Sequence, residues 1–156
     1  MRDMQQFLQW RAETVAGMIL TRRDDLVVRW MDLPSGATDF LVDVVCGRES
    51  LSHVFGVRVR GLEHAVGSPD EVPVRLSNPP LDDLADASMP YGVVVCTSDD
   101  ERGYFRWVRQ PVVTRGVTRL KTVREARWRE LDHESMADIV AAVNAWYEAQ
   151  SQAQAA

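Results

Sequence analysis

Lysine is nearly missing from this chain: Lys121 stands alone among eighteen lysines and arginines. Chemistry that needs a lysine with a tunable pKa therefore has a single position open to it. Cysteine is scarce as well. Cys46 and Cys96 each close an apolar run, Val44-Val45-Cys46 and Val93-Val94-Val95-Cys96. A bridge between them is possible on paper, but two buried free thiols in strands fit such runs better. No Cys/His spacing of a zinc site occurs. The three histidines, His53, His64 and His133, show no pairing at helical or strand spacing, which suits surface or turn positions. A Gly-x-Ser-x-Gly nucleophile elbow is missing, and so is a Gly-rich loop that could cradle phosphate. No uninterrupted apolar segment is long enough for a signal peptide or a membrane span. A cytoplasmic protein without membrane contact is the resulting expectation.

What is present is the composition of a globular domain. Of the 156 residues, 46% are hydrophobic and 26% charged, enough apolar mass for a core and too much for disorder. Residues 1–148 are expected to form one domain, and the Ala/Gln-rich residues 149–156 a frayed tail. The formal net charge of −5 argues against a free-standing nucleic-acid binder, whose affinity rests on phosphate contacts. A local basic face remains compatible with it.

Hydrophobic periodicity divides the chain into elements. Met4, Leu8, Val15 and Ile19, with Ala12 between them, share one face of a helix over 4–21. Strands are expected over 26–31, 39–46 and 54–60, the last with Val57 and Val59 on one side and Arg58 and Arg60 on the other. Leu33-Pro34-Ser35-Gly36 reads as a turn. Residues 72–76 read as a short edge strand interrupted by Pro73. Asn78-Pro79-Pro80 reads as the start of a helix ending near Ser88. Further strands are expected over 91–97, 104–109 and 117–123. A last helix over 134–148 carries Ile139, Val140, Val143, Trp146 and Tyr147 on its apolar stripe. This order predicts an α/β fold, a central mixed sheet flanked by N-terminal and C-terminal helices.

Asp39 opens an apolar strand, and Asp43 lies four residues on, on the same side. Arg58 and Arg60 share a face of the next strand, and Glu13 lies on the polar flank of the first helix. A cross-strand charge pair on a solvated face is one reading of these residues. The stretch Asp39-Phe40-Leu41-Val42-Asp43, a Gly-containing turn, and Phe55-Gly56-Val57-Arg58-Val59-Arg60-Gly61 supports another. Together with Met89-Pro90-Tyr91-Gly92-Val93-Val94-Val95 and Tyr104-Phe105-Arg106-Trp107-Val108, it resembles a family of uncharacterised bacterial domains. That family belongs to the PD-(D/E)XK, or restriction-endonuclease-like, superfamily, and the resemblance spans residues 12–113.

The resemblance implies a restriction-endonuclease-like core and a nuclease site. Asp39 would match its metal-binding Asp, and Asp43 the second acidic position. Arg58 would match the Gln or acidic ligand position, Arg60 the catalytic Lys, and Glu13 the helix carboxylate. Active members hold magnesium, and Asp39 and Asp43 would be its ligands here. Arg58, however, puts a permanent cation without a lone pair where a ligand belongs. Arg60 replaces a tunable amine. No bound metal or other cofactor is therefore expected, and the site reads as degenerate. The leading expectation is a catalytically inactive nuclease-fold domain that binds a protein or nucleic acid, in a bacterial defence or DNA-processing system. One alternative is a magnesium-dependent nuclease using Glu13, Asp39 and Asp43. Another is an interaction protein with no nucleic-acid role. Residues 102–129 are rich in arginine, and Arg106, Arg109, Arg119 and Lys121 are the candidates for nucleic-acid contact.

Overall fold

The computed structural model describes residues 2–32, 38–45, 53–75, 82–125 and 127–155. Helix α1 (Arg2–Leu20) leads into three antiparallel strands, β1 (Leu26–Asp32), β2 (Thr38–Val44) and β3 (His53–Leu62). A crossover follows, with a 3₁₀ turn at Pro69–Glu71, a single helical turn α2 (Val72–Arg75) and a second 3₁₀ turn at Asp82–Leu84. The chain returns as β4 (Tyr91–Thr97), parallel to β3, and continues into β5 (Arg102–Thr114), β6 (Val117–Thr122), β7 (Arg129–Glu130) and α3 (His133–Ala155). The sheet order is β1-β2-β3-β4-β5-β6, with β7 also pairing with β5. The fold is thus α/β, a mixed seven-stranded sheet with an N-terminal and a C-terminal helix packed on it.

Strand alternation sends side chains to two cores. On one face, Phe40, Val42 and Val44 of β2, Phe55, Val57 and Val59 of β3 and Val94 and Cys96 of β4 meet both helices. The helices contribute Ala12, Val15, Ala16 and Ile19 from α1, and Met136, Ile139, Val140 and Val143 from α3. On the other face, Tyr91, Val93 and Val95 of β4 and Tyr104 and Val108 of β5 pack under Val66, Val72 and Leu84 of the crossover and Trp128. Strand β4, the most apolar strand in the sequence, is buried along its whole length. Cys96 is a free, buried thiol whose pKa burial pushes up to about 12. No helix among the described residues is long and apolar enough to cross a membrane.

Several elements differ from the sequence expectation. Residues 72–75 form a helical turn, not an edge strand. Pro73 sits in a first turn, where its missing N–H costs nothing, and Val72 is the buried anchor. Past Asp82 the expected helix is only a 3₁₀ turn. Asp82, Asp83 and Asp86 are poor helix formers, and Pro90 biases the preceding residue away from helix. Strand β5 reaches Thr114 through Pro111, which lies beyond the end of β4 at Tyr91↔Arg109 and so has β6 as its ladder partner. Strand β7 is new. Helix α3 continues to Ala155, because Ala and Gln sustain a helix that the expected frayed tail would have ended at Glu148. Met4 is exposed instead of facing the core. The turn at 33–36, Cys46 and the Asn78 helix start lie outside the described residues.

Candidate functional site

Asp39 and Arg58 are direct partners in the β2–β3 register, so their side chains leave the sheet side by side. Both point to the crossover face, and both side chains are only 4% exposed. Arg58 Nε donates to Asp39 Oδ1 at 2.9 Å and Nη2 to Oδ2 at 3.3 Å. The outer side of the same guanidinium grips a second carboxylate. Nη1 donates to Asp83 Oδ1 at 2.9 Å and Nη2 to Asp83 Oδ2 at 2.8 Å. Asp83 comes from the 3₁₀ turn of the crossover and remains 60% exposed. One planar cation thus ties the crossover to the sheet through two forked pairs, the geometry for which arginine is suited and lysine is not.

Tyr91 completes the arrangement by donating its phenol to Asp39 Oδ2. Gly56 makes this reach possible. It pairs with Tyr91 across the β3–β4 ladder, and a Cβ there would lie 2.1 Å from Tyr91 Cε2. The ring therefore lies flat over the glycine on its way to Asp39. The electrostatics follow from the contacts. Arg58 is pushed above its ordinary value, by the Asp83 hydrogen bonds first and then by Asp39, against the cost of burial. The same bonds hold the Asp83 carboxyl below the usual range. Burial drives the Tyr91 phenol upward, with Asp39 adding to it. Arg60 is drawn down, first by burial and then by repulsion from Arg58.

The remaining candidates are dispersed. Asp43 does not meet Arg58 or Arg60. It pairs with Arg29 of β1, Nε to Oδ2 at 2.7 Å, because the β1–β2 ladder sets these two diagonally. Glu13 is buried on the opposite side of the sheet, where Gln9 Nε2 donates to its Oε1 at 3.2 Å and to Val59 O at 3.0 Å. The sheet thus stands between Glu13 and Asp39. The basic candidates divide in the same way. Arg109 spends its guanidinium inside the protein, on Ala87 O, Leu120 O and Thr122 Oγ1 at 2.7–3.1 Å. Arg106 shares that side of β5 with Tyr104 and Val108 of the crossover-face core. Arg119 and Lys121 are exposed along edge strand β6, opposite Val112 and Gln110, and so on the α3 side.

A divalent cation fits these residues poorly. Both oxygens of Asp39 already accept hydrogen bonds, and the side chain beside it, Arg58, is a guanidinium with no lone pair to offer a metal. Among the described residues, no three His, Cys, Asp or Glu side chains are grouped so as to hold a metal.

Sequence reasoning set Asp39 and Asp43 against Arg58 and Arg60 without choosing among them; the pair that forms is Asp39–Arg58, buried and not on a solvated face, and Asp83, Tyr91 and Gly56 were missed. Asp83 carries no local signal, since it lies 25 residues from Arg58 and reaches it only through the crossover. Tyr91 did offer one: a phenol at the head of an otherwise apolar strand needs a polar partner when buried. His53, expected at a surface or turn, is half-buried, stacked 4.9 Å from Tyr147, with Nδ1 2.8 Å from Asn144 Oδ1.

The chain matches no protein-family model, no curated protein and no solved structure.

Proposed function

We propose that this chain is a catalytically inactive domain with the outline of a restriction-endonuclease-like site, and that it acts by binding a protein. The Asp39–Arg58–Asp83 clamp supports the inactive reading, because the group that would carry metal chemistry is engaged in holding the fold together. The observation that carries the partner class is the bare side of α1. Ala12, Val15, Ala16 and Ile19 are buried against the sheet, yet Phe7 and Trp10 are 56% and 59% exposed, with Met4 and Met18 beside them. At 3.6 residues per turn these four fall within an arc of about 120°, next to the buried stripe. A helix apolar on much of its open side as well as its packed side suits a second apolar surface, and Arg11, which lies within the same arc, is already engaged by Glu101 at 2.7 Å. Nucleic acid is the weaker choice also because Arg106 and Arg109 lie on one side of the sheet and Arg119 and Lys121 on the other.

Two measurements test this reading. The full chain, incubated with single- and double-stranded DNA and RNA in magnesium or manganese, is expected to leave every substrate intact. Cleavage that disappears in Asp39→Ala would establish the nuclease alternative instead. A photo-crosslinking residue at Trp10 is expected to capture a defined polypeptide in cells. That polypeptide, once purified, should bind the wild type at least tenfold more tightly than a Phe7→Ser/Trp10→Ser variant of unchanged fold. Equal affinity for both would remove α1 as the docking face.

A further inference from the structure

The two outer strands of the sheet, β1 and β6, are unlike. On β6 the exposed positions are Val117, Arg119 and Lys121, and cations along a row of unpaired backbone groups discourage another strand. On β1 the exposed positions include Val27, Trp30 and Met31. Strand β1 carries neither lysine nor proline, and its ladder with β2 runs from Leu26↔Val44 to Asp32↔Thr38 without a bulge. Its one arginine, Arg29, is engaged by Asp43 at 2.7 Å. Lysine, proline and a bulge, which commonly blunt a sheet edge, are thus all missing from it.

One bond shows which backbone groups β1 leaves open. Val45 N donates to Asp25 O at 2.8 Å, one step beyond the β1–β2 ladder and in its register. Hydrogen-bonded and non-hydrogen-bonded pairs alternate along an antiparallel ladder. Val27, Arg29 and Met31 therefore spend their N–H and C=O on β2, while Val28 and Trp30 turn theirs to the open edge. The Leu26 carbonyl points the same way, its N–H being directed at Arg23 O at 3.5 Å. Side chains sort with the same parity. Leu26, Val28 and Trp30 lie on the helix side, where the Trp30 ring sits 4.8 Å from Phe40. Val27, Arg29 and Met31 lie on the crossover side with Asp39 and Asp43.

We infer that this edge pairs with the same edge of a second copy of this chain, antiparallel about Val28, so that two sheets join into one. The strand is self-complementary in that register. On the helix side Val28 meets Val28, and Leu26 meets Trp30 twice, so every facing pair there is apolar. The open N–H groups of Val28 and Trp30 in each copy find the open carbonyls of Val28 and Leu26 in the other. On the crossover side Arg29 lies opposite Val27, with Asp25 and Arg29 of the second copy at its two diagonals. The other symmetric registers are worse. Centring on Arg29 sets two guanidiniums directly opposite each other, which is repulsive. Centring on Trp30 sets Leu26 against Pro34, which has no N–H to give. A seam one strand long is at the low end of interface size, so the association is weak and reversible. Below its dissociation constant β1 is a free edge. This edge is separate from the α1 surface, so either assignment can fail without the other.

Sedimentation velocity on the full chain provides the test. A reversible monomer–dimer equilibrium is expected as concentration rises over about 5–500 µM. Val28→Pro removes an outward N–H and leaves the β2 ladder whole, so it should keep a cooperative melt and weaken dimerisation at least tenfold. Trp30→Lys, at an exposed position, sets a cation on the seam and should weaken it at least fivefold, which keeps the test decisive should Val28→Pro fail to fold. Phe7→Ser/Trp10→Ser on α1 should leave the dimer unchanged. Amide exchange supplies a signature that side-chain contact alone would not produce. At high concentration Val28 and Trp30 should gain the most protection, and Val27, Arg29 and Met31, already bonded to β2, should gain less. A chain that stays monomeric throughout, a dimer that both β1 variants leave intact, or one lost only in Phe7→Ser/Trp10→Ser would overturn the proposal.

Discussion

Arg58 ties the crossover to the sheet, and its worth lies in what its removal leaves behind. Arg58→Ala strands Asp39 as a buried carboxylate with the Tyr91 phenol as its remaining partner from the clamp. Loss of one member of a buried pair costs about 3–5 kcal/mol. Asp39→Ala should cost less, since Asp83 still holds the guanidinium from outside. The double variant should then lose clearly less than the sum of the single losses, by at least about 1 kcal/mol in urea melts. Additive losses would show that the two side chains do not depend on each other. Asp83 behaves differently because it is 60% exposed, and Asp83→Asn should cost below about 1 kcal/mol at neutral pH. The hydrogen bonds from Arg58 depress its folded pKa. Its contribution is therefore present above the ordinary carboxylate value of about 4 and is lost as pH falls through the depressed value. The gap between wild type and Asp83→Asn should accordingly close in melts taken at progressively lower pH, and a gap that widened on acidification would contradict the pairing.

Elements whose side chains repeat with a clear period were legible from the sequence, and elements set by a distant partner were not. The alternation at Val57 and Val59 and the apolar run from Tyr91 to Thr97 were enough to place β3 and β4. The helical turn at Val72–Arg75 looks like a strand in the sequence because five residues are too few for either period to emerge, and its anchor, Val72, packs under β4 from outside. The clamp was half legible for the same reason. Asp39 and Arg58 belong to neighbouring strands joined by a short connection, whereas Asp83 arrives on a crossover whose path no local pattern encodes. Helix α3 was placed correctly at its start and ended too early, since Ala and Gln beyond Glu148 carry helical propensity without an apolar stripe. This has a measurable consequence. Residues 151–155 are exposed, so ending the chain at Glu148 should change stability by less than about 1 kcal/mol. Ending it at Ala145 also removes Trp146, buried with Nε1 on Arg119 O at 3.1 Å, and Tyr147, whose phenol donates to Val54 O. That truncation should cost at least about 3 kcal/mol, measured by chemical denaturation. Similar losses from the two truncations would mean that the packing of α3 does not end at Tyr147.

At the scale of the whole molecule, the sheet is a partition with unlike coverings. Two long helices close one face, while the other is closed by short turns, Trp128 and the Arg58 clamp. Strands β3, β4 and β5 contribute to both cores, and β4 has paired neighbours on both sides and no exposed residue. Strand β1 is a sheet edge with Val27, Trp30 and Met31 exposed, and β6 is the other edge, exposed at alternate positions. Local opening is governed by how much apolar contact and how many ladder bonds a segment must give up. An edge strand can detach by breaking one ladder and uncovering part of one core. Strand β4 can open only by breaking two ladders and uncovering both cores, which is global unfolding. Native-state hydrogen exchange should therefore find the slowest amides in Val93–Cys96 and at the adjoining positions Val57–Val59 and Phe105, with free energies equal to that of complete unfolding. Amides of β1 and β6 should exchange through smaller openings, less sensitive to denaturant. The crossover face should loosen first in Arg58→Ala, with protection lost around Leu84 and Val66 before it falls beneath α1 and α3. Slowest exchange in β1 or β6, or uniform loss of protection on both faces in that variant, would show that the two cores unfold as one unit and that the clamp is not what closes the second face.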